Sequence, residues 1–273
     1  MVSVITSRSN ELFKTFASLQ TSKGIERERL ALISGRKIVP ELLAQPDAGD
    51  ATLIVLSERA TASASKAKTK AKSAAPRKPR SAHPLEGWAK RVLSFERSLF
   101  NELDEFGTNA PLLVLPVPEI DRFDGMEKPP RGLALAVAAQ DPSNLGAILR
   151  SALAFEVGTV VLLAECAHPF LPRVTRAASG ANFLLNFLRG PSIKDLDTEW
   201  IALDMKGESL DRSRLPLDCA LLMGEEGMGI PEGFLGRRIK IPISTRSDSL
   251  NVAVAAGLVL GAYRRQYPLK EIK

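Results

Sequence analysis

Polar residues that could bind a ligand or stabilise charge occur in three segments of the C-terminal half of the sequence. The first segment, QDPSNLGAILR, has Asn144 and Gly146 where a helix is expected to begin and Arg150 farther along that helix. Asn144 can cap the helix, Gly146 permits the close approach of a ligand, and a guanidinium can stabilise negative charge. We expect Asn144 and Arg150 to lie on broadly similar faces. Taken alone, Arg150 is better explained as a surface residue whose aliphatic stem packs along the protein while its guanidinium stays in water.

The second segment, GEEGMGIPEG, combines three glycines with two adjacent acids. Gly224, Gly227 and Gly229 would let a loop wrap a flat ligand with backbone groups, although they also suit an ordinary tight turn. The spacing is neither the GxGxxG of dinucleotide-binding folds nor the GxxxxGK[ST] of phosphate-binding loops. Because Glu225 and Glu226 would repel phosphate, the segment favours a ligand whose nearby portion is cationic or neutral.

The third segment, STRSDSLNVAVAAG, leads into an almost wholly apolar helix. Ser249 is a natural residue to cap that helix, and this role alone explains it. Asn251, which we expect one position inside the helix, has less structural reason to be there. Each of the three segments is ambiguous by itself, so their meaning depends on whether the fold brings them together.

The elements that hold these segments form an α/β pattern. After residue 132, apolar runs of strand length (LALAVAA, TVVLL, WIALDM, CALLMG and IKIPI) alternate with helical stretches, the last of which is LNVAVAAGLVLGAYRRQY. Such runs predict a buried parallel sheet with helices on both faces. Ligands of open parallel sheets bind at the carboxyl ends of the strands, and each of the three segments follows a strand.

Residues 1–118 are expected to form a smaller α/β domain. The stretches SRSNELFKTFASLQTSKGIERER, KIVPELLAQ and EGWAKRVLSFERSLFNEL predict helices, the first capped by Ser9 or Asn10, and LALISG, ATLIVLS and APLLVLPVPEI predict strands. Residues 59–84 are basic and contain no acid, which predicts a disordered insertion that either tethers RNA or stays a solvated loop. The polar, proline-rich residues 119–131 predict a linker, and residues 132–273 a second domain.

The composition favours a soluble, cytoplasmic protein that contacts a polyanion. The 273 residues carry a net charge of +6 with a pI of about 9.4, which makes nucleic acid the first partner to consider. The two cysteines, Cys166 and Cys219, lack CxxC or metal-ligand spacing, so we expect small core residues and no metal site. The sequence begins without the apolar region of a signal peptide, and its apolar runs are too short to cross a membrane.

In their order and spacing, the three segments resemble the SpoU (TrmH-like) branch of the SPOUT methyltransferases. The resemblance covers about residues 133–263 and rests on DPSNLGAILRSALAF, LLMGEEGMGIPE and IPISTRSDSLNVAVAAG, with RVTRAASGANF between the first two. It implies a trefoil-knotted parallel-sheet domain that transfers a methyl group from S-adenosylmethionine to a ribose 2′-hydroxyl of RNA, without a metal. The N-terminal ITSRSNELFKTFASLQ and LALISG resemble, more weakly, the L30e-like domain that binds the RNA substrate in many members.

The resemblance also implies roles for individual residues. The residues around the target ribose would be Asn144, Arg150, Glu226, Ser249 and Asn251. The residues that hold the cofactor would be Leu203, Gly224, Gly229, Ile241 and Leu250. Arg150 matches the position thought to activate the hydroxyl. It either takes the proton or, since a guanidinium stays protonated in proteins, binds the hydroxyl or a phosphate and stabilises negative charge. The expected partners are RNA, with ribosomal RNA favoured over transfer RNA, and a second copy of the chain joined through the knotted domain.

Three positions depart from the family pattern. Thr245 stands where the family often has glycine, and Ile243 stands where it often has methionine. Thr245 could narrow the cofactor loop. In the N-terminal domain, many members have glutamate before glycine where this sequence has Ser34 before Gly35. This departure affects how RNA would dock on that domain.

Two other functions fit parts of the sequence. A non-catalytic RNA-binding protein could retain the knotted fold, but the complete set of motif residues argues against it. A SPOUT enzyme that methylates a base usually has different cofactor loops, and the SLN of residues 249–251 disfavours it. The sequence therefore favours an RNA ribose 2′-O-methyltransferase.

Overall fold

The chain divides into two compact units. A computed structural model describes residues 4–44, 53–57, 91–125, 128–196 and 199–269, with the backbone alone for 53–57. One unit comprises residues 1–118 with 170–172, and the other comprises residues 119–169 and 173–273. The basic stretch 59–84, predicted to be a disordered insertion, lies outside the described residues.

The N-terminal unit contains a mixed sheet. Its strands, in the order β1-β4-β3-β5-β2 across the sheet, are β1 (Val4–Ile5), β2 (Leu30–Ser34), β3 (Leu53–Ser57), β4 (Arg91–Phe95) and β5 (Leu112–Pro116). Strand β4 pairs in parallel with β1 and β3, whereas β5 is antiparallel to β2 and β3. The described helices of this unit are α1 (Glu11–Ser18), α2 (Ser22–Glu28), α3 (Ile38–Leu43) and α4 (Arg97–Leu103).

Two helix predictions for this unit need correction. The first predicted helix is two helices, because Thr21 caps α2 by accepting from the Gly24 amide, and Gly24 passes so close to Ser18 that a Cβ would lie 1.9 Å from its carbonyl oxygen. The predicted cap by Asn10 is confirmed, since its side chain accepts from the Leu12 amide at 3.0 Å. In the last predicted helix, residues 91–95 form β4 instead, because a short apolar run fits a buried strand as well as a helix.

The described residues of the C-terminal unit form a sheet of seven strands, all of them paired in parallel. Across the sheet the order is β12-β10-β11-β7-β8-β9-β6. The strands are β6 (Asp121–Arg122), β7 (Leu133–Val137), β8 (Thr159–Leu162), β9 (Phe187–Arg189), β10 (Ile201–Ser209), β11 (Cys219–Met223) and β12 (Arg238–Lys240). Every residue of β7 and β11 is buried, as expected for strands covered on both faces. The predicted α/β fold with a parallel sheet is confirmed.

The stretch 119–131, predicted to be a linker, contributes to this sheet. Its residues 121–122 form the edge strand β6, and the Phe123 side chain is buried against Trp200 with ring centroids 6.1 Å apart. A two-residue strand of Asp and Arg carries no apolar pattern, so sequence periodicity could not reveal it. Strand β9 was missed as well.

The helices of the C-terminal unit are α5 (Pro142–Ala154), α6 (Pro172–Ala178) and α7 (Val252–Gln266), and α5 packs against α7. Gly146 on α5 is required by a close approach, because a Cβ there would lie 2.5 Å from the Ala177 side chain and 2.6 Å from the Val174 carbonyl oxygen. Among the helices of the described residues, none has the length and apolar character needed to cross a membrane. The trefoil knot and the L30e-like assignment stay predictions.

Candidate active site

A cavity of about 390 Å³ lies in the C-terminal unit, at the ends of β11 and β12 and beside an irregularity in β10. Residues 204–207 bulge out of β10 there, because both Leu203 and Glu208 pair with Ile239. The walls of the cavity come from five parts of the chain and include Asn144, 203–205, 223–227, 229–230, 239–241, 249–252 and Ala255. All three polar segments of the sequence therefore contribute to one cavity.

The first segment places Asn144 in the first turn of α5. The helix is capped by Asp141, whose side chain accepts from the amides of Ser143 and Asn144 at 2.9 Å, and Pro142 follows at the first helical position. The prediction that Asn144 caps this helix is therefore wrong. Because Asp141 takes the capping role, the Asn144 side chain is available to the cavity.

The third segment begins α7 with Asn251. The Asn251 side-chain oxygen accepts from the amides of Ala253 at 2.9 Å and Val254 at 3.3 Å. Asn251 is the N-cap, so the expectations that Ser249 caps this helix and that Asn251 lacks a structural role are wrong. Ser249 is exposed and lines the cavity.

Side chains from the three segments join in a chain of hydrogen bonds. The Asn251 amide nitrogen donates to the Asn144 side-chain oxygen at 2.9 Å, and the Asn144 amide nitrogen donates to Glu226 Oε1 at 3.1 Å. These pairs are separated by 107 and 82 residues in sequence. The fold thus brings together Asn144, Glu226 and Asn251, with Ser249 on the same cavity.

The glycine-rich segment forms a tight loop after β11. The backbone of Glu225 and Gly229 is joined by two hydrogen bonds of 3.1 and 2.9 Å. A Cβ on Gly224 would lie 2.6 Å from the Gly229 carbonyl carbon, and Gly227 and Gly229 have φ values of +88° and +69°. The glycines are therefore required by the turn, and the turn itself forms a wall of the cavity. All five residues predicted to hold a cofactor line this cavity, namely Leu203, Gly224, Gly229, Ile241 and Leu250.

Comparison with known proteins identifies the family. Residues 133–261 match the model of the SpoU rRNA Methylase family. The chain belongs to the SpoU family. The RlmB 23S rRNA (guanosine-2′-O-)-methyltransferase of Neisseria meningitidis is 32% identical to it over 164 residues, which cover 56% of this chain and 65% of the relative.

Two further likenesses extend over nearly all of this SpoU family member. The ribosomal RNA small subunit methyltransferase G 2 of Syntrophobacter fumaroxidans is 35% identical over 266 residues, which cover 96% of this chain and 49% of that protein. The chain thus spans about half the length of that relative. The structure of the SpoU methyltransferase AviRb from Streptomyces viridochromogenes, in complex with AdoMet, aligns with a TM-score of 0.74 at 19% identity and covers 94% of this chain and 98% of AviRb. This likeness shows a common fold.

Arg150 is not among the residues that line the cavity of this SpoU family member. Its side chain is exposed on α5. The expectation that Arg150 shares a face with Asn144 is wrong, because six residues at 3.6 per turn leave the two side chains about 120° apart around the helix. Thr245, the departure expected to narrow the cofactor loop, is likewise exposed and outside the lining.

Sequence reasoning missed two interactions that shape the cavity. Arg238 of β12 forms an ion pair with Asp204, and their side chains are only 17% and 13% exposed. The same guanidinium donates to the carbonyls of Pro231 at 2.8 Å and Phe234 at 3.1 Å. Gln140 donates to Glu225 Oε2 at 3.2 Å. The two side-chain pairs, Asp204 with Arg238 and Gln140 with Glu225, are 34 and 85 residues apart, so no local pattern could have paired them.

The surroundings of the two cysteines in this SpoU family member make their thiols poorly reactive. Burial raises the pKa of both the Cys166 and Cys219 thiols to about 12, and neither forms a disulfide. At neutral pH, such thiols stay protonated and are poor nucleophiles. Cys219 is buried, as predicted for a small core residue, whereas Cys166 is only half-buried.

Proposed function

We propose that the chain is an RNA ribose 2′-O-methyltransferase that uses S-adenosylmethionine as the methyl donor. The observation that carries the proposal is the convergence of Asn144, Glu226, Ser249 and Asn251 on the same cavity as the glycine loop. Methyl transfer to a hydroxyl requires that two substrates be held in line, and a cavity with one polar rim and one backbone-lined wall meets that need.

The cavity fits the proposed cofactor in size and charge. Its volume of about 390 Å³ lies within the range of small-molecule sites. Asp204, Glu225 and Glu226 line it, and carboxylates favour a cationic ligand over a phosphate. Bound S-adenosylmethionine would supply an electrophilic methyl group on its sulfonium, a reaction that needs no metal. Leu203, Gly224, Gly229, Ile241 and Leu250 would hold it.

The proposed target is a ribose hydroxyl of RNA. The relative from Neisseria meningitidis is named as a guanosine-2′-O-methyltransferase of 23S rRNA, which supports ribose over base and ribosomal over transfer RNA. Asn144, Glu226, Ser249 and Asn251 would position the ribose. Arg150 would bind the target hydroxyl or an adjacent phosphate and stabilise developing negative charge.

The remaining parts of the proposal concern assembly and RNA capture. The N-terminal unit would bind the RNA substrate as an L30e-like domain, in the cytoplasm. The C-terminal unit would form a trefoil-knotted homodimer. An exposed apolar stripe on α7 supports dimerisation, because Val254 is 52% and Leu258 is 46% exposed one helical turn apart.

Mass spectrometry of nuclease-digested RNA tests the proposal. Ribosomal RNA from a strain that lacks the gene should gain one ribose-methylated nucleotide after incubation with the purified protein and S-adenosylmethionine. A methylated base would contradict the ribose assignment. If calorimetry detects no binding of S-adenosylmethionine while RNA still binds, the protein is a non-catalytic RNA-binding member of the family.

A further inference from the structure

Three side chains at the cavity form a hydrogen-bonded chain whose direction is fixed at one end. The Asn251 oxygen accepts from the backbone amides of Ala253 and Val254 at the start of α7. Backbone amides can only donate, so the atom that faces them must be the oxygen of the Asn251 side chain. The Asn251 nitrogen is thereby directed at Asn144.

This direction propagates through Asn144 to Glu226. Because the Asn251 nitrogen donates at 2.9 Å, the Asn144 atom that faces it must be its oxygen. The Asn144 nitrogen then points at Glu226 Oε1, at 3.1 Å. A side-chain amide nitrogen can only donate, so Glu226 is held as an acceptor. We call Asn251, Asn144 and Glu226 the amide relay.

Glu226 differs from the other two acids of the cavity. Both Asp204 oxygens are engaged, one by the Lys206 amide at 2.9 Å and the other by Arg238. Glu225, like Glu226, has one engaged oxygen, but its partner Gln140 lies outside the cavity lining. Within the described residues, the amide relay engages Glu226 Oε1 and no hydrogen bond involves Oε2. Glu226 therefore combines a fixed orientation with an oxygen that can accept a further proton.

Arg150 is a poorer acceptor for chemical reasons. A guanidinium has five donors and no acceptor, and it keeps its protons in proteins. A proton released from a hydroxyl in the cavity has a carboxylate available that is already aligned by two amides.

We propose that Glu226 accepts the proton of the target hydroxyl and that Asn251, acting through Asn144, is a positioning residue that orients it; this rests on the function proposed above. As the hydroxyl oxygen bonds to the methyl carbon, the carbon–sulfur bond breaks, its electron pair stays on sulfur, and the hydroxyl proton passes to the Glu226 carboxylate. Water then removes that proton, and the carboxylate is restored. Arg150 keeps the role of charge stabilisation.

The relay can be tested in the protein without cofactor or RNA, by solvent exchange of the ¹⁵N-labelled asparagine side-chain amides. In Asn251→Asp the carboxylate still caps α7, but it places an acceptor opposite the Asn144 oxygen. We expect the Asn144 side-chain protons to exchange about tenfold faster, as for the loss of one hydrogen bond. Asn186→Asp, a matched change at an asparagine that bonds to Gly158, should leave the Asn144 exchange unchanged. Equal Asn144 exchange in Asn251→Asp and the natural protein would overturn the relay.

The acceptor role is tested by turnover together with calorimetry. Glu226→Gln keeps an acceptor oxygen for Asn144 but removes the base, so kcat should fall about 100-fold or more, the usual contribution of a positioned base. The Kd for S-adenosylmethionine should rise far less than kcat falls, since Asp204 and Glu225 still line the cavity and general-base catalysis acts on the chemical step. Asn251→Asp should lower kcat about tenfold, because it misaligns the Glu226 carboxylate. Glu232→Gln, on an exposed side chain of the same loop region, should keep full turnover.

The outcomes separate this proposal from the proposed function. A Glu226→Gln enzyme that keeps more than a tenth of the natural kcat would overturn the acceptor role while methyl transfer itself stands. A natural protein that methylates no RNA would overturn the proposed function and the acceptor role together. In that case, the exchange measurement still decides whether the relay exists.

Discussion

The two sheets of the molecule differ in how they place the residues that follow their strands. In the N-terminal sheet, β5 alone runs against the other strands, so its carboxyl end lies at the edge opposite to those of β1, β2, β3 and β4. In the C-terminal sheet all seven strands are parallel, and their carboxyl ends share one edge. Segments after β7, β11 and β12 consequently meet at one cavity, although they are up to 107 residues apart.

A parallel sheet allows several chemically active loops to meet at one place. A parallel sheet supplies several independent loops to one place, while its buried strands keep those loops rigidly spaced. None of the residues that line the cavity belongs to the mixed N-terminal sheet. We therefore expect substitutions at the shared edge of the C-terminal sheet to affect turnover or cofactor binding, and substitutions in the N-terminal unit to affect RNA affinity alone.

The largest effect is expected for Arg150→Ala. If Arg150 stabilises charge on the target hydroxyl, kcat should fall by about 100- to 1,000-fold, as for other donors that stabilise a transition state. Cofactor affinity measured by calorimetry should change little, because Arg150 lies outside the cavity lining. Arg265→Ala, another exposed arginine on a helix of the same unit, is the matched control. If Arg150→Ala keeps most of its turnover, Arg150 does not stabilise charge on the target hydroxyl.

A second substitution, Arg238→Gln, tests whether the buried ion pair supports the cavity walls. The change leaves the Asp204 carboxylate without its guanidinium and the Pro231 and Phe234 carbonyls without their donor. We expect the free energy of unfolding of the C-terminal unit to fall by about 2 kcal/mol, below the range for fully buried pairs because both side chains keep some exposure. Denaturant unfolding measures this.

The neighbouring Arg237 provides the control for that experiment. Its ion pair with Glu208 is 37% and 55% exposed, and such exposed pairs contribute about 0–1 kcal/mol. Arg237→Gln should therefore leave unfolding nearly unchanged. Equal destabilisation by the two substitutions would show that the Asp204 pair has no special part in holding the walls.

A smaller effect is expected when the glycine loop is crowded. In Gly224→Ala, the added Cβ would lie 2.6 Å from the Gly229 backbone, so the loop must shift. Overpacking costs about 1–3 kcal/mol, and we expect about a tenfold loss of S-adenosylmethionine affinity by calorimetry. Gly233→Ala is the control, since a Cβ there meets no atom within 4 Å. Unchanged affinity in Gly224→Ala would show that the cofactor does not depend on this wall.

The sequence predicted the sheet and the residues of the cavity better than it predicted their local roles. Apolar runs of strand length and the glycine spacing are local features, and they sufficed for β7, β11 and the loop at Gly224. The caps were assigned wrongly because Asp141, Asn144, Ser249 and Asn251 are all good capping residues, and only the backbone geometry selects among them. The Asp204–Arg238 pair depends on the bulge in β10, which periodicity does not encode.

The smallest expected effect concerns the N-terminal unit. It tests whether substitutions in that unit affect RNA affinity alone. Arg36 and Lys37 are exposed directly after β2, where Gly35 has φ of +146°. If the two cations contact RNA phosphates, the double substitution to alanine should weaken RNA binding about fivefold. It should also reduce the slope of log affinity against log salt by about 2. Filter binding at several salt concentrations measures both.

Arg8 and Lys14 provide the matched control for that double substitution, because each is an exposed cation paired with an acid, Glu102 or Glu11. Their replacement by alanine should leave the salt slope nearly unchanged, since a cation already neutralised by a carboxylate releases few counterions from RNA. Cofactor affinity should stay the same in both double variants, because none of these residues lines the cavity. A loss of cofactor affinity in the Arg36 and Lys37 variant would contradict the expectation that the N-terminal unit affects RNA affinity alone.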